Sequence, residues 1–255
     1  SEGLPMSLHA AVPHGHTALS CHWHQLHRRF PGSFGIVVAG GLGYFFTQVL
    51  LQLPLIPMLG LAQGSSIPML VCVGLFTALL AGGARYLIVR TALSDKLSWG
   101  AALSAGIGHG FCETLFLFVG FYFIQLLFMQ AGAEVDEQVL DMLFQRPLSY
   151  LLVDFAAQIG AVCFHIAMYL VIVRGFLKKQ ETKALLLVCG LQALYTFFKY
   201  YILSADQSIW INGAGAILIG LLSFIYILQT YQAMNKLIQI DFEKDAGETA
   251  LEEGY

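Results

Sequence analysis

The chain has 255 residues, 57% of them hydrophobic and only 11% charged, with a formal net charge of -3 and a mean hydropathy of +0.70. A soluble globular domain carries roughly a quarter charged residues, so this composition excludes one and points to an integral membrane protein with several apolar runs long enough to span. No basic patch exists outside short loops, so nucleic-acid binding is unsupported. The five cysteines, Cys21, Cys72, Cys112, Cys163 and Cys189, form no CxxC pair, and four lie within apolar runs; they read as reduced, buried thiols rather than a disulfide framework.

Residues 1–33 do not read as a transmembrane helix. Six of the eight histidines are here, His9, His14, His16, His22, His24 and His27, in a stretch broken by Pro5, Pro13 and Pro31. No continuous apolar core follows a basic start, so no cleavable signal is expected. The segment reads either as a metal-binding tail, with Cys21 as a further ligand, or as a flexible or surface-lying one. The lack of paired CxxC and HxxxH spacing favours the second.

Hydropathy then predicts six spans, near 34–53, 67–90, 99–129, 148–173, 184–204 and 209–233, making 34–235 a transmembrane helical domain. The fold class expected is all-α: a polytopic transmembrane helical bundle of six to seven spans, because only helices satisfy their backbone groups across segments of this length. Arg28 and Arg29 precede the first span, Arg90 and Lys96 flank the second connection, Arg174, Lys178, Lys179 and Lys183 fill the fourth, and Lys236 and Lys244 follow the last. The intervening connections are nearly free of basic residues. The positive-inside rule places these basic segments and the C-terminus in the cytoplasm. Residues 236–255 form an acidic cytoplasmic tail, of which 241–255 is expected to be a solvated, disordered end. No repeat, Walker loop or GxSxG occurs, and Gly213 and Gly215, after Asn212, read as helix-packing positions.

Chemistry concentrates in Gly106-Ile107-Gly108-His109-Gly110-Phe111-Cys112-Glu113, inside the third span. Histidine and glutamate four residues apart share a helix face. Ionisable groups in a membrane are costly and face the protein interior, which makes them site candidates. The three glycines let another backbone or a substrate approach. His109 lies ten residues after Trp99, about 15 Å from the basic end at the helical rise; His165 lies nine residues before Arg174 on an antiparallel span, about 14 Å from the same end. Two imidazoles and a carboxylate at one depth can hold a zinc ion and leave a position open for water, whose proton a carboxylate could take. The plainer alternative is that each histidine bonds a neighbouring helix. Arg85 reads either as snorkelling to the interface or as orienting a carboxylate such as Glu113. Asp154 falls well beyond the histidine level on the fourth span, and Lys199 near the far end of the fifth.

At these residues the chain resembles the YhfC family of bacterial membrane peptidases, relatives of type II CAAX-processing and PrsW-type intramembrane proteases and of the multipass scaffold subunit of gamma-secretase. Phe45-Phe46-Thr47-Gln48-Val49-Leu50-Leu51-Gln52-Leu53-Pro54 looks like the family's aromatic–Gln–Pro span, Gly106 to Glu113 like its GxGHGxxE motif, and Phe164-His165 like its later histidine motif. The likeness runs from about residue 34 to 235. It implies a multi-pass bacterial cell-membrane protein with zinc held by His109, His165 and Glu113, Glu113 and Arg85 in catalytic roles, and hydrolysis of a membrane-proximal peptide bond. One departure stands out: Ala81 and Gly82 occupy the place of the family's glutamate pair before Arg85-Tyr86, and no acidic residue occurs between Glu2 and Asp95. Three functions follow as expectations: a metallopeptidase-like protein, inactive if that pair is essential; a non-catalytic membrane scaffold binding a partner transmembrane helix among the lipids; and a small-molecule or metal transporter, against which the absence of repeat symmetry counts.

Overall fold

A computed structural model describes residues 34–58, 66–130, 147–204 and 209–252. The histidine-rich segment 1–33 lies outside them, as does the acidic connection 131–146. Among the described residues every regular element is helical, in agreement with the all-α expectation. Six helices result: α1, Phe34–Met58; α2, Ile67–Ala92; α3, made of Trp99–Glu113, Thr114–Gly120 and Phe121–Gln130; α4, Leu148–Leu177; α5, Glu181–Ser204; and α6, Ile209–Glu252. Five of them, all but α3, are long and apolar enough to cross a membrane. Many large apolar side chains remain on the outer surface, among them Phe34, Leu79, Phe111 and Leu222. That surface suits lipid rather than water and fits a membrane protein.

Local chemistry explains several boundaries. Pro68 lies in the first turn of α2, where its missing N–H costs nothing. The Ser98 hydroxyl accepts the Ala101 N–H at 3.1 Å and caps α3. Helix α4 ends with Lys179 at φ 54°, and the N–H groups of Lys179 and Gln180 bond the carbonyls of Phe176 and Gly175 at 3.0 and 2.8 Å. This is the Schellman arrangement, here with lysine where glycine is usual, and it turns the chain sharply into α5. The end of the chain differs from expectation. The predicted disordered tail is instead a continuation of α6 to Glu252.

Two stretches are wound as π-helix, Phe45–Gln52 in α1 and Thr114–Gly120 in α3. The first ends at Gln52, two residues before Pro54, whose ring cannot continue an ordinary helical ladder; the Leu53 N–H reaches back to the Gln48 carbonyl. The two runs lie side by side, with the rings of Phe45 and Phe116 5.3 Å apart. Each begins directly after a residue of the polar centre described below, Tyr44 or Glu113.

Helix α4 is central: 61% of its most apolar stretch is buried, against 17% to 39% in the other four spanning helices. Tyr169, Leu170, Ile172 and Val173 are fully enclosed. Helix α3 wedges between α1 and α4, α2 packs along α5, and α6 runs along α4 while only grazing α5. In lipid such contacts gain little from the hydrophobic effect and depend on close packing. The glycines of the motif supply it, and what they admit is backbone. A side chain at Gly108 would overlap the Val37 carbonyl of α1, one at Gly106 would overlap the Ile166 backbone of α4, and one at Gly110 would sit 2.8 Å from the Val162 Cα.

Overpacking such a contact costs on the order of 1–3 kcal/mol. Gly108→Val is therefore expected to lower the thermal unfolding midpoint of the detergent-purified protein clearly, whereas Gly83→Ala, in open space, should be neutral or slightly stabilising. Equal losses from both would contradict the packing described.

Candidate functional site

The polar centre is assembled from four helices. Helix α2 brings Arg85, fully buried; α3 brings His109 at 1% exposure and Glu113 at 6%; α4 brings His165 at 2%; α5 brings Lys199. The two histidines expected at one depth do meet, their ring centres 4.6 Å apart. The Arg85 Nη2 donates to His165 Nδ1 at 2.6 Å and lies 3.4 Å from His109 Nε2. On its other edge His165 Nε2 bonds the Glu113 Oε2. The second carboxylate oxygen, Oε1, faces the Lys199 ammonium at 3.7 Å. The result is a chain, Arg85–His165–Glu113–Lys199, with His109 beside its first link.

A guanidinium only donates, and this fixes the tautomers. His165 Nδ1 accepts, so its proton is on Nε2 and points to the carboxylate. His109 Nε2 faces Arg85, so its proton is on Nδ1. Aromatic rings enclose His109: Tyr44 at 5.4 Å and Tyr169 at 5.9 Å between centres. Phe164 stacks on Tyr195 at 4.6 Å and meets His165 edge-on.

These contacts correct two sequence expectations. Arg85 does not snorkel to an interface. Nor does it orient Glu113 directly, since a histidine stands between them. Glutamates at 81 and 82, where the family that the chain resembles has its pair, would find little room here. Ala81 is buried at 1% exposure, and a side chain begun at Gly82 would meet the Cys189 Sγ at 2.5 Å.

The zinc set implied by the resemblance, His109, His165 and Glu113, does not fit as arranged. The two histidine nitrogens that converge do so on Arg85 Nη2, a cation. Glu113 lies at the opposite nitrogen of His165, and the two nitrogens of one imidazole point away from each other. One ion cannot touch all three groups. Among the described residues no other cluster of three histidine, cysteine, aspartate or glutamate side chains is placed to hold a metal.

On its α5–α6 side the centre borders a cavity of about 320 Å³. Glu113, Lys199, Tyr195, Gln158 and Asp154 supply its polar wall, and Phe198, Ala161, Gly213, Gly215, Leu218 and Ile219 much of the rest. Thr114 donates to the Gly110 carbonyl at 3.0 Å and lies 3.4 Å from Gln158 Oε1. Of the two glycines expected to pack helices, Gly213 does so, because a side chain there would overlap Val153; Gly215 instead faces open space. Phe198 and Leu218, 48% and 58% exposed, sit where α5 and α6 barely touch, so the cavity is open toward the lipid-facing surface between those helices.

Sequence reasoning missed Lys199, Tyr44 and Tyr169. Depth counting would have found Lys199: it lies sixteen residues past Lys183 and Glu113 fourteen past Trp99, about 24 and 21 Å from the same end. Comparison with family models, curated proteins and solved structures returned no match.

The chain of contacts predicts an order of couplings. In double-mutant cycles on unfolding in mixed micelles, His165 and Glu113 should couple by about 0.5–3 kcal/mol, the range for directly bonded network partners. Arg85 and Glu113 should couple less. A larger Arg85–Glu113 term would contradict the geometry.

Proposed function

We propose that this chain is a peptidase-like membrane protein of the YhfC kind that binds a membrane-embedded peptide or partner helix at the cavity beside Glu113, without carrying out the zinc-dependent hydrolysis the resemblance implies. The observation that carries this reading is the position of Arg85 Nη2, where the converging histidine nitrogens would have to meet a metal. The histidines are thereby spent as acceptors, and Glu113 is held between His165 and Lys199. What remains available is a polar-walled opening to the lipid face. In a low-dielectric surrounding, such a wall favours a segment with a polar group at the matching depth.

Each residue then has a binding role. Arg85 and His165 hold the Glu113 carboxylate in place. Glu113 and Lys199 present one acceptor and one set of donors to the cavity. Asp154 and Gln158 extend the polar wall away from the basic end. The rival reading, a zinc peptidase, has one point in its favour: two imidazole nitrogens do converge on one position. It requires Arg85 to withdraw and Glu113 to turn about His165. The orientation proposed with the binding reading places the basic end, including the α4–α5 turn, in the cytoplasm of a bacterial cell membrane.

Two experiments test this. Titration of nanodisc-embedded protein with a labelled transmembrane peptide carrying one mid-span polar residue should give saturable binding. Gly215→Phe, which places a ring in the cavity at an unobstructed position, should weaken it roughly tenfold or more, the effect of about 1.4 kcal/mol. Peptide cleavage with stoichiometric zinc, both lost in His109→Ala, would overturn the reading in favour of the peptidase. Separately, single cysteines at Ser66 and Gln180 of a cysteine-free variant, both exposed positions, should react with impermeant reagent from opposite sides; same-side labelling would refute the orientation.

A further inference from the structure

Charge inside the bundle is balanced. Away from the basic end, the described residues carry four charged side chains: Arg85 on α2, Glu113 on α3, Asp154 on α4 and Lys199 on α5. Two are cations and two are anions, and the tautomers above leave both histidines neutral, so the formal sum is zero. Contacts through His165 link Arg85, Glu113 and Lys199. Glu113, Lys199 and Asp154 share one cavity wall. In a low-dielectric surrounding, a charge brought in without a counter-charge is costly. A lysine inserted there would leave the sum at +1 and an aspartate at −1, whereas a neutral group leaves it at zero.

Hydrogen bonding narrows the class further. Lys199 can only donate, the two carboxylates can only accept, and Gln158 can do both. The Lys199 ammonium faces Glu113 at 3.7 Å, and its side chain is still 37% exposed, so it has donors to offer the cavity. A carboxamide carries two N–H donors and an oxygen with two lone pairs. It can meet an ammonium and a carboxylate at once, and it adds no charge. Size is consistent with a single side chain. The cavity, about 320 Å³, is at the small end for ligand pockets, and a helix about 10–12 Å across cannot enter it. Ala157, Ala161, Gly215 and Ala216 line it with little bulk.

We propose that the cavity selects a neutral carboxamide. The partner segment carries Gln or Asn at the depth of Lys199, with its oxygen toward the Lys199 ammonium and its NH2 toward a wall carboxylate. Segments with lysine, arginine or a carboxylate at that position are rejected. This rests on the binding reading above and adds the chemistry of the partner, since specificity is a difference between affinities.

Four single-span peptides, identical except for Gln, Leu, Lys or Glu at one position about 24 Å from the cytoplasmic end, are the probes. In titrations of the full chain in nanodiscs, the Gln peptide should bind several-fold tighter than the Leu peptide. It should bind roughly tenfold or more tighter than the Lys and Glu peptides. Asp154→Asn removes one anion and leaves the sum at +1, so the preference should move several-fold toward the Glu peptide. If that variant does not fold, the wild-type order decides by itself. A Lys or Glu peptide bound as tightly as the Gln peptide, or an unchanged order in folded Asp154→Asn, would overturn the selectivity and leave the binding reading standing. No saturable binding by any of the four would overturn both.

Discussion

A guanidinium with no exposed surface, at the middle of a bundle whose outside is apolar, has to be answered by its neighbours. Arg85 is such a group, and the arrangement around it follows from that demand. Its Nη2 needs acceptors and takes the unprotonated nitrogens of His165 and His109. His165 must then present its proton on the other edge, and Glu113 receives it. Glu113 in turn draws the Lys199 ammonium from α5. One cation thus fixes two tautomers, the rotamer of a carboxylate and the depth at which α2, α3, α4 and α5 register. Removing one partner of such a buried pair typically costs about 3–5 kcal/mol, so the centre serves as a register pin as well as a candidate site.

The helices can meet around that pin only because side chains are missing where they cross. Gly106 and Gly110 face the α4 backbone, and Gly108 faces that of α1. Their alternation at i, i+2, i+4 serves two neighbours on different faces of α3. The same device recurs where Gly160 of α4 meets Ala216 and Gly220 of α6. Close approach brings His109 and His165 to ring contact and leaves the cavity as the gap between α5 and α6, which do not pack tightly. Packing and chemistry therefore depend on the same sequence motif.

Much of this was legible in the sequence. Hydropathy locates all six helices, with every limit within about five residues except the far end of α6, and residue counting places His109 and His165 at one level, where they meet. What escaped had physical causes. Arg85 was weighed against an interface and a carboxylate, because an arginine in a membrane segment suggests a negative partner; a pair of imidazoles satisfies it here by accepting. Lys199 reads as lying near the end of its span when depth is counted from the span limits rather than from the basic end. The π-wound runs leave no trace in hydropathy. The α6 extension to Glu252 was read as a disordered end because its composition is acidic, although Glu and Ala are also good helix formers. The glycines were expected to admit either backbone or substrate, and only geometry could decide for backbone.

Arg85 occupies the nitrogens that a metal would need. Side-chain 15N spectra of histidine-labelled protein in lipid, with His109→Gln and His165→Gln to assign the signals, test this most directly. The account predicts two neutral rings of opposite tautomer, His165 protonated at Nε2 and His109 at Nδ1, unchanged by added zinc. Zinc-induced shifts of both rings, or a His109 ring protonated at Nε2, would contradict it.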